Sequence, residues 1–479
     1  MRIFFANLPH EFAVSRTNRW PEKTKSTTLY YPYWLCQAAG VCISGGNNVN
    51  VVDYIVKNRT LHDLIADLES FKPDLLVTET TTSTCVFDFQ TIRVIKEKFP
   101  GVKIAVGGNH VTALPEKSLD ECPSIDFIMR GEYDFTVRDL AASLACPDKV
   151  DGVSFMQNGE MFNTPNRVFK DDLDDIPFVS KIYKQFLDVY DYGYSLAKHP
   201  MIQIFSSRGC PYQCNYCSYP SNMSGRKLRC RSTANFVDEL QYISQNMTEI
   251  KEIFIEDDTF TIDKERVAAI CDEIRKRSLK IEWSVNARAD VPYDLMVKMK
   301  EAGCRLLVVG FESGNQKILD NSKKGITLEQ SREFMKNAKK AKLKVFGCFM
   351  LGLQGDTRVT MEDTFRFAKE IEPDMVFFQQ AVPFPFTEFY LWAKESGRLV
   401  TEDYGQWLDR NGHLRALVNY DDIKAEEMLA LRDRYMSRYY FSPMYVCKTL
   451  IKNMSWQEFK RIAKAMLSYL SFRLEKKSY

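Results

Sequence analysis

The stretch RGCPYQCNYCSYP, residues 208–220, places Cys210, Cys214 and Cys217 close together on a loop that contains glycine and proline. An apolar strand pattern at Gln203–Ser206 comes directly before it. Iron–sulfur clusters are normally held by four cysteine thiolates, and no fourth cysteine follows at close spacing, so a cluster here would leave one iron open. A closed zinc site needs a fourth protein ligand, and no histidine lies nearby in sequence. The pattern favours an iron–sulfur cluster over zinc or three unrelated core cysteines.

The cysteine loop begins a series of six apolar strand patterns that alternate with helical patterns. This alternation predicts a partial (β/α)6 barrel, a fold that carries its active site at the carboxyl ends of the strands. Strands are predicted at Gln203–Ser206, Ile253–Ile255, Ile281–Val285, Leu306–Val309, Val345–Met350 and Met375–Phe378. Helices are predicted at Ala234–Asn246, Glu265–Arg277, Tyr293–Ala302, Leu328–Lys340 and Arg358–Ile371.

The first 150 residues also alternate strands with helices, which predicts a doubly wound, Rossmann- or flavodoxin-like parallel sheet. Such a sheet binds ligands at the carboxyl ends of its strands, where Asn7, Thr78–Thr84 and Gly107–His110 lie. None of these segments is a GxGxxG or Walker A loop, which argues against an ordinary dinucleotide or ATP site. Strands are predicted at Ile3–Asn7, Val49–Tyr54, Leu75–Thr78, Ile104–Val106 and Phe127–Met129, and helices at Leu61–Phe71, Phe87–Phe99 and Thr136–Ala145.

We therefore expect an α/β protein with four segments along the chain. Residues 1–150 form the doubly wound domain, residues 151–199 a linker, residues 200–400 the partial barrel and residues 401–479 a helical C-terminal region. The uncharged segment Ser26–Val52 contains proline, glycine and several asparagines, so we predict a buried helix beside a strand and not a bilayer span.

Composition excludes several classes of protein. Lys+Arg number 65 and Asp+Glu 63, and a net charge of +2 argues against a dedicated nucleic-acid binder. The chain of 479 residues is 45% hydrophobic and 27% charged, as is typical of globular proteins. Thirteen cysteines without a recognisable export signal predict a reducing, cytoplasmic location and not a disulfide framework.

The CxxxCxxC spacing, with Tyr216 before the last cysteine, resembles the radical S-adenosylmethionine (SAM) superfamily. In that family three cysteines hold a [4Fe–4S] cluster, and its fourth iron binds the methionine part of SAM. The resemblance implies that residues at later strand ends contact the methionine amino group, the ribose and the adenine. Each is a weak signal alone, and Glu312 by itself resembles a solvated loop acid. The implied SAM-binding set is Tyr216, Asp257, Asp258, Asn286, Arg288, Glu312, Ser313, Leu351 and Gly352.

GGNHVTALPE at residues 107–116 and RGEYDFT at residues 130–136 resemble segments of the cobalamin-binding class of that superfamily. The resemblance implies that the Thr80–Thr84 loop contacts the nucleotide tail of the cofactor. No DxHxxG motif is present, so no histidine ligand below cobalt is predicted, and His10 and His110 are expected to be ordinary loop histidines. A domain that kept the fold without the cofactor is the alternative. The implied cobalamin-binding set is Asn7, Thr81, Thr82, Ser83, Gly107, Gly108, Asn109, His110, Gly131 and Glu132.

Within this class, the chain looks like the branch that contains the hopanoid-biosynthesis radical SAM protein and the anaerobic Mg-protoporphyrin monomethyl ester cyclase. The segments Arg19–Pro21 and Tyr30–Gly40 are its most branch-specific parts. Residues 383–390 resemble the PYPGTxLY segment, with Phe386 in place of its glycine.

The resemblance implies an enzyme that cleaves SAM reductively to a 5′-deoxyadenosyl radical and functionalises a C–H bond. The expected reaction is carbon–carbon bond formation, by C-methylation or cyclisation, on a lipid-linked or other small-molecule substrate with cobalamin. Ring contraction or isomerisation of a cyclitol-type glycolipid, with a non-catalytic cobalamin domain, is the enzymatic alternative. A zinc-stapled binding module is the non-enzymatic one. An electron donor such as flavodoxin or ferredoxin is the implied protein partner.

The C-terminal stretch between Phe441 and Tyr479 carries eight Lys or Arg residues against two Glu. Its apolar residues recur near helical spacing, which predicts a basic amphipathic helix. Such a helix either packs on the barrel with a solvated basic face or lies on an anionic membrane surface. Peripheral membrane association would favour a lipid-linked substrate.

Overall fold

The computed structural model of the protein describes residues 1–16, 21–24, 28–443 and 445. Within these residues the chain forms a seven-stranded sheet, a six-stranded sheet and a two-stranded hairpin. The two large sheets follow one another along the chain, and helices pack on both. This arrangement confirms the predicted α/β class, with a doubly wound unit followed by a partial barrel.

The first sheet contains five parallel strands in the order 2-1-3-4-5, which is the flavodoxin-like order. Its central strands are buried, as expected for parallel strands covered by helices. The strands are β1 (Arg2–Asn7), β2 (Asn48–Asp53), β3 (Leu75–Glu79), β4 (Lys103–Gly107) and β5 (Phe127–Met129). The helices are α1 (Tyr33–Ser44), α2 (Leu61–Phe71), α3 (Cys85–Lys98), α4 (Asn109–Ala113), α5 (Pro115–Glu121) and α6 (Asp134–Ala142).

An antiparallel hairpin, β6 (Val153–Gln157) and β7 (Glu160–Asn163), extends this sheet beyond β5. The hairpin lies in the segment 151–199, which the sequence analysis assigns to a linker. β7 is largely exposed, so it lacks the apolar pattern that would identify it as a strand. The first sheet therefore continues to Asn163, past the expected boundary at residue 150.

Helix α1 lies in the uncharged segment and confirms the prediction of a buried helix, because its residues from Tyr33 to Cys42 are all buried. The Tyr33 ring stacks on Phe205 with 3.7 Å between centroids. The Trp34 ring lies 4.6 Å from the Arg208 guanidinium carbon. Helix α1 thus packs the first sheet against the start of the barrel. In the described part of the chain, no helix is long and apolar enough to cross a membrane.

The second sheet has six parallel strands in the order 15-14-13-12-11-8, with a short antiparallel hairpin beside the cysteine loop. The strands are β8 (Met201–Ile204), β9 (Ser207–Arg208), β10 (Arg229–Cys230), β11 (Glu252–Ile255), β12 (Trp283–Ala287), β13 (Cys304–Glu312), β14 (Lys344–Leu351) and β15 (Met375–Gln380). The helices are α7 (Val179–Phe186), α8 (Tyr219–Asn222), α9 (Thr233–Asn246), α10 (Lys264–Lys276), α11 (Tyr293–Glu301), α12 (Gln316–Asn321), α13 (Leu328–Lys340), α14 (Arg358–Ile371), α15 (Glu388–Glu395) and α16 (Ala425–Tyr440).

Three helices of the described chain begin at a threonine that forms a capping box. The side chains of Thr60, Thr327 and Thr357 each accept a hydrogen bond from the backbone N–H three residues later, at the starts of α2, α13 and α14. Each cap satisfies an N–H group that the helix itself leaves unpaired. In each case the residue at that third position also bonds back to the threonine N–H, which completes a capping box.

The region predicted to be helical, residues 401–479, is described as far as residue 443 and at residue 445. Residues 400–424 are largely irregular, and α16 follows them. Helix α16 is attached to β15 by Tyr440, whose hydroxyl accepts a hydrogen bond from Val376 N and donates one to Val376 O. The predicted basic helix, and Arg19 and Trp20 of the branch-specific segment, lie outside the described residues.

A buried ion-pair cluster joins the first sheet to the barrel. Arg208 pairs with Glu132 at 2.8 Å and with Asp134 at 2.5 Å, and Arg229 also pairs with Glu132. These four side chains are no more than 5% exposed. Gln37 of α1 accepts a further hydrogen bond from Arg208. Because a buried charge without a partner is strongly destabilising, the four charged groups depend on one another.

We expect Glu132→Gln to lower the free energy of unfolding by about 3–5 kcal/mol, because it leaves buried arginine charge uncompensated. Asp171→Asn is the matched control. Its carboxylate pairs with Lys227 on the surface, where both side chains are about 70% exposed, so the loss should stay below about 1 kcal/mol. Urea unfolding of both variants measures the difference. If both variants lose the same free energy of unfolding, the buried cluster stabilises the protein no more than a surface ion pair does.

Candidate active site at the junction of the two sheets

The cysteine loop follows β9 and is held in place by backbone hydrogen bonds. Cys210 N donates to Gly225 O, and Cys217 N donates to Cys214 O. Cys210 and Cys214 are buried, whereas Cys217 is half-buried. Gly209 has a φ of +86°, and a Cβ at this position would lie 2.2 Å from Lys227 O, so the approach of the two loop arms requires glycine.

The three thiols fit an iron–sulfur cluster by their chemistry, since thiolates are its usual ligands. Among the described residues, no three His, Cys, Asp or Glu side chains are already grouped as ligands of one metal ion, so the fit of the three thiols rests on their chemistry and spacing. Asn215, within the loop, donates from Nδ2 to Gln354 Oε1 at 3.0 Å and to Asn321 O at 3.0 Å. The loop is thereby tied to the segments that follow β13 and β14.

Glu312 is the residue of the predicted SAM set with the most unusual setting. It ends β13 with a φ of +63°, a left-handed conformation that is sterically unfavourable for a non-glycine residue. Its carboxylate accepts a 2.7 Å hydrogen bond from Lys324 Nζ, and both side chains are at least 90% buried. Glu312 is therefore not a solvated loop acid. Burial lowers the pKa of Lys324, but the Glu312 carboxylate and the Cys214 thiol outweigh it and raise the pKa.

Tyr216 belongs to the cysteine loop, and Arg288 lies beside that loop. The Arg288 guanidinium lies 3.5 Å from the centre of the Tyr212 ring and donates to Lys324 O at 2.7 Å. Tyr216 is half-buried, and desolvation of its hydroxyl, the Cys214 thiol and the Glu312 carboxylate together raise the pKa of that hydroxyl. The structure thus brings Tyr216, Arg288 and Glu312 together around the cysteines.

Asp257 and Asp258 hold the base of the cysteine loop. Asp257 is fully buried and accepts hydrogen bonds from Ser206 N at 2.6 Å and from the hydroxyls of Ser206 and Ser207. Burial raises the pKa of Asp257 although these hydrogen bonds oppose the shift. Asp258 accepts from Ser224 Oγ at 2.8 Å. Serines that flank the loop thus donate hydrogen bonds to both carboxylates.

The remaining members of the predicted SAM set are less closely associated with the cysteines. Asn286 donates to Asp257 O at 3.2 Å, at the end of β12. Ser313 is fully buried against Thr364 of α14, so its hydroxyl does not reach the loop. Leu351 is buried at the end of β14, and Gly352 follows it with a φ of +82°.

The glycine loop of the first sheet, residues 107–109, faces the cysteine loop, residues 208–220. Gly108 has a φ of +105°, and a Cβ there would lie 2.4 Å from Thr80 O. Gly107 faces the Tyr133 ring, which would lie 2.6 Å from a Cβ. The next residue, Asn109, donates from Nδ2 to Ser218 Oγ at 2.8 Å. The glycine loop and the cysteine loop are therefore in direct contact.

A narrow opening, the junction crevice, lies between these loops. On the side of the first sheet Asn109 Oδ1 is buried without a hydrogen-bond partner. A buried oxygen that the fold leaves without a partner can accept a hydrogen bond from a group bound in the crevice. The crevice is lined by Arg16, Pro21, Glu79, Thr81, Thr82, Asn109, Ser218, Tyr219, Met223 and Phe384.

Several residues of the predicted cobalamin set are used elsewhere. Asn7 accepts from Arg16 at 2.8 Å and donates to Asp53 at 2.9 Å. Glu132 belongs to the ion-pair cluster. Ser83 donates to Pro21 O, and Gly131 packs against Phe169, which lies 3.1 Å from a Cβ built there.

His110 is a core residue of α4 and not a loop histidine. It is fully buried, its Nδ1 lies 3.3 Å from Thr82 Oγ1, and its ring packs edge-on against Tyr404. Burial lowers its pKa to about 3, so the ring is neutral. His10 is half-buried beside Phe87, and burial lowers its pKa to about 4.

The threonine-rich loop after β3 is organised around Asp88. The hydroxyls of Thr80 and Thr84 donate to Asp88 at 2.6 and 2.7 Å, and Arg16 pairs with the same carboxylate at 2.6 Å. The two hydroxyls therefore serve the fold of the loop, whereas Thr81 and Thr82 line the junction crevice.

Arg16 and Glu79 also line the crevice. Glu79 lies in the segment Thr78–Thr84 that the sequence places at a ligand-binding strand end, but it is not in the implied cobalamin set, and Arg16 was missed altogether. Glu79 is the last residue of β3 and lies among threonines, and its position at a strand end was the signal that could have identified it. Arg16 carries no such signal, because its partner Asp88 lies 72 residues away in sequence.

Two family models match the chain, the Radical SAM superfamily over residues 204–368 and the B12 binding domain over residues 23–141. The chain is 30% identical to the uncharacterized methyltransferase PH0819 of Pyrococcus horikoshii, over 85% of this chain and 87% of that protein. The chain belongs to the B12-binding radical SAM family. Its cofactors are accordingly a [4Fe–4S] cluster, SAM and cobalamin, as the sequence predicts.

Two further relatives confirm the predicted branch of this radical SAM enzyme. The chain is 26% identical to the anaerobic magnesium-protoporphyrin IX monomethyl ester cyclase of Rubrivivax gelatinosus, over 92% of this chain and 77% of the cyclase. It is 25% identical to the hopanoid C-3 methylase of Methylococcus capsulatus, over 75% and 67% of the two chains. A solved structure of the cobalamin-dependent radical enzyme OxsB has the same fold, with a TM-score of 0.71 at 18% identity, over 98% of this chain and 72% of OxsB.

We expect Gly108→Ala to lower the free energy of unfolding by at least about 1 kcal/mol, because it adds a Cβ at positive φ against Thr80 O. Gly101→Ala is the matched control, since Gly101 has no positive φ and no atom within 4 Å of a built Cβ. Its effect should stay within about 0.5 kcal/mol. Urea unfolding measures both, and a Gly108→Ala protein as stable as the control would contradict the packing described.

Proposed function

We propose that the enzyme methylates a carbon atom of a small-molecule substrate at the junction crevice. The observation that carries this proposal is the hydrogen bond between Asn109 and Ser218, which brings the glycine loop of the B12-binding unit against the cysteine loop. Cofactors held by the two loops would share one space. Relatives named as methyltransferases and a methylase support methyl transfer.

When bound, the cofactors supply a 5′-deoxyadenosyl radical that abstracts hydrogen and a corrin that carries a methyl group. The chain's own residues bind and orient them. We propose that Cys210, Cys214 and Cys217 hold the cluster and that Glu312, kept in place by Lys324, receives the ribose. Tyr219, Met223 and Phe384 line the crevice with apolar surface that would keep water from a reactive radical.

We further propose that the B12-binding unit includes the β6–β7 hairpin and so ends at Asn163. The remaining residues of the predicted linker would then lead into the barrel unit. A protein reductant, such as flavodoxin or ferredoxin, is proposed as the electron donor because reductive cleavage of SAM consumes an electron. We also propose that the substrate is lipid-linked, and this rests on the basic stretch between Phe441 and Tyr479.

A second candidate function is cyclisation or ring rearrangement without methyl transfer. It is favoured by the similarity to the Rubrivivax cyclase, which extends over 92% of this chain. The two functions differ in the fate of SAM, because methyl donation leaves S-adenosylhomocysteine whereas radical formation leaves 5′-deoxyadenosine and methionine.

We expect the anaerobically reconstituted enzyme, given reductant and SAM, to form 5′-deoxyadenosine. We also expect S-adenosylhomocysteine to form when cobalamin is present and not when it is omitted. Liquid chromatography with mass spectrometry quantifies both products. If 5′-deoxyadenosine forms without S-adenosylhomocysteine at any cobalamin concentration, the methyl-transfer proposal fails and the rearrangement is favoured.

The cluster assignment has its own test in two cysteine variants. We expect Cys217→Ala to lose iron, sulfide and 5′-deoxyadenosine formation, because one of three thiolate ligands is removed. Cys230→Ala is the matched control, since Cys230 is also half-buried and lies on the neighbouring strand β10. It should retain all three properties. Full iron and sulfide content in Cys217→Ala would overturn the assignment.

A further inference from the structure

Glu79 is a buried acid whose carboxyl group the fold leaves incompletely paired. It is 2% exposed at the end of β3, and its Oε2 has no hydrogen-bond partner. Its Cγ lies 3.0 Å from the position of a Cβ on Gly108, so it contacts the glycine loop directly. Asn109, the next residue of that loop, also has an orphaned oxygen, and both residues line the junction crevice. Two unpaired buried oxygens in one crevice are costly unless a ligand pairs them.

The charge state of Glu79 determines which ligand these oxygens suit. Burial raises the pKa of Glu79 to about 8, although the charge of Arg16 and a hydrogen bond from the Tyr133 hydroxyl oppose the shift, and Asp88 adds to it. Arg16 is itself paired with Asp88 at 2.6 Å. At neutral pH the side chain is therefore mainly a neutral acid, with one O–H donor beside one acceptor oxygen.

A neutral acid next to an amide oxygen is complementary to a primary amide. A primary amide offers one carbonyl acceptor and two N–H donors. The acid O–H can donate to that carbonyl while its other oxygen accepts one N–H, and Asn109 Oδ1 can accept the second. An anionic group would find a single O–H donor beside two acceptor oxygens, and an arginine that is already paired with Asp88, so phosphate or carboxylate ligands fit poorly.

We propose that Glu79 and Asn109 bind a primary amide side chain on the corrin ring of cobalamin, and that Glu79 is a positioning residue for that ring. Cobalamin carries several such amides, and the glycine loop lies at the sheet edge where the ring is expected. The inference rests on the cobalamin site that the proposed function uses. No bond forms or breaks in this step.

The test measures binding of hydroxocobalamin to the full-length, cluster-reconstituted enzyme by equilibrium titration. We expect Glu79→Leu to weaken binding about 10- to 100-fold, because both hydrogen bonds of the acid are lost. Glu79→Gln keeps a donor and an acceptor and should stay within about threefold of the natural protein. Iron content and urea unfolding of each variant show whether it is folded. Equal affinity of Glu79→Leu and Glu79→Gln would overturn the proposal.

The pH dependence of binding provides a second readout. Affinity of the natural protein should fall as the pH rises from about 7 to about 9, because Glu79 ionises and loses its donor. Glu79→Gln should show no such fall over the same range. Glu79 also lowers the stability of the protein as the pH rises. Because its pKa is raised in the folded state, its contribution to the free energy of unfolding is lost as the pH approaches 8. If the affinity of Glu79→Gln falls with pH as steeply as that of the natural protein, the assignment is contradicted.

Cobinamide, which keeps the amide side chains of the ring and lacks the nucleotide tail, identifies the group that is bound. Glu79→Leu should weaken cobinamide and hydroxocobalamin by the same factor, and a loss confined to hydroxocobalamin would place Glu79 at the tail and overturn the inference. If the natural protein binds neither corrinoid, the inference and the proposed function both fail. If it binds both but forms no S-adenosylhomocysteine, methyl transfer fails and the role of Glu79 stands.

Discussion

The buried pairing of Arg208 and Arg229 with Glu132 and Asp134 is the interaction on which the rest of the structure depends. The two arginines belong to the hairpin that encloses the cysteine loop, and the two carboxylates belong to the loop and helix that follow β5. Buried charges are strongly destabilising unless they are paired, so the packing of these arginines requires the carboxylates of the other unit, and the reverse. The aromatic contacts of α1 with Phe205 and Arg208 reinforce the same join. Specific polar pairing therefore sets the angle and register of the two units, while apolar burial supplies most of the attraction.

This join explains why two separate ligand-binding edges form a single site. A parallel sheet brings the carboxyl ends of its strands to one edge, and each of the two sheets here does so. The ion pairs turn those edges towards each other, so that Asn109 meets Ser218 across the boundary. Around that contact the side chains divide by task. Asp257, Asp258 and Asp88 hold loops in place, whereas Glu79, Thr81 and Thr82 line open space.

Local sequence patterns were sufficient for much of this architecture. The parallel strands, the buried helix α1 and the cysteine loop each have a signature within a few residues, namely apolar runs, absence of charge and the spacing of three thiols. The β6–β7 hairpin escaped notice because its outer strand is exposed and carries no apolar alternation. Glu132 and Asn7 look like ligand-binding residues in sequence, but they are engaged by Arg208, Arg229 and Arg16. Such pairings join positions tens of residues apart, so no motif records them.

The position of Arg208, two residues before Cys210, has a consequence for how the protein matures in the cell. The strand that delivers the first cysteine cannot settle into its buried place until carboxylates from the earlier part of the chain are there to neutralise it. Those carboxylates emerge from the ribosome first, on a sheet built mostly from nearby segments. The arrangement of the three thiols thus depends on carboxylates from a unit that itself contributes no cysteine to the loop.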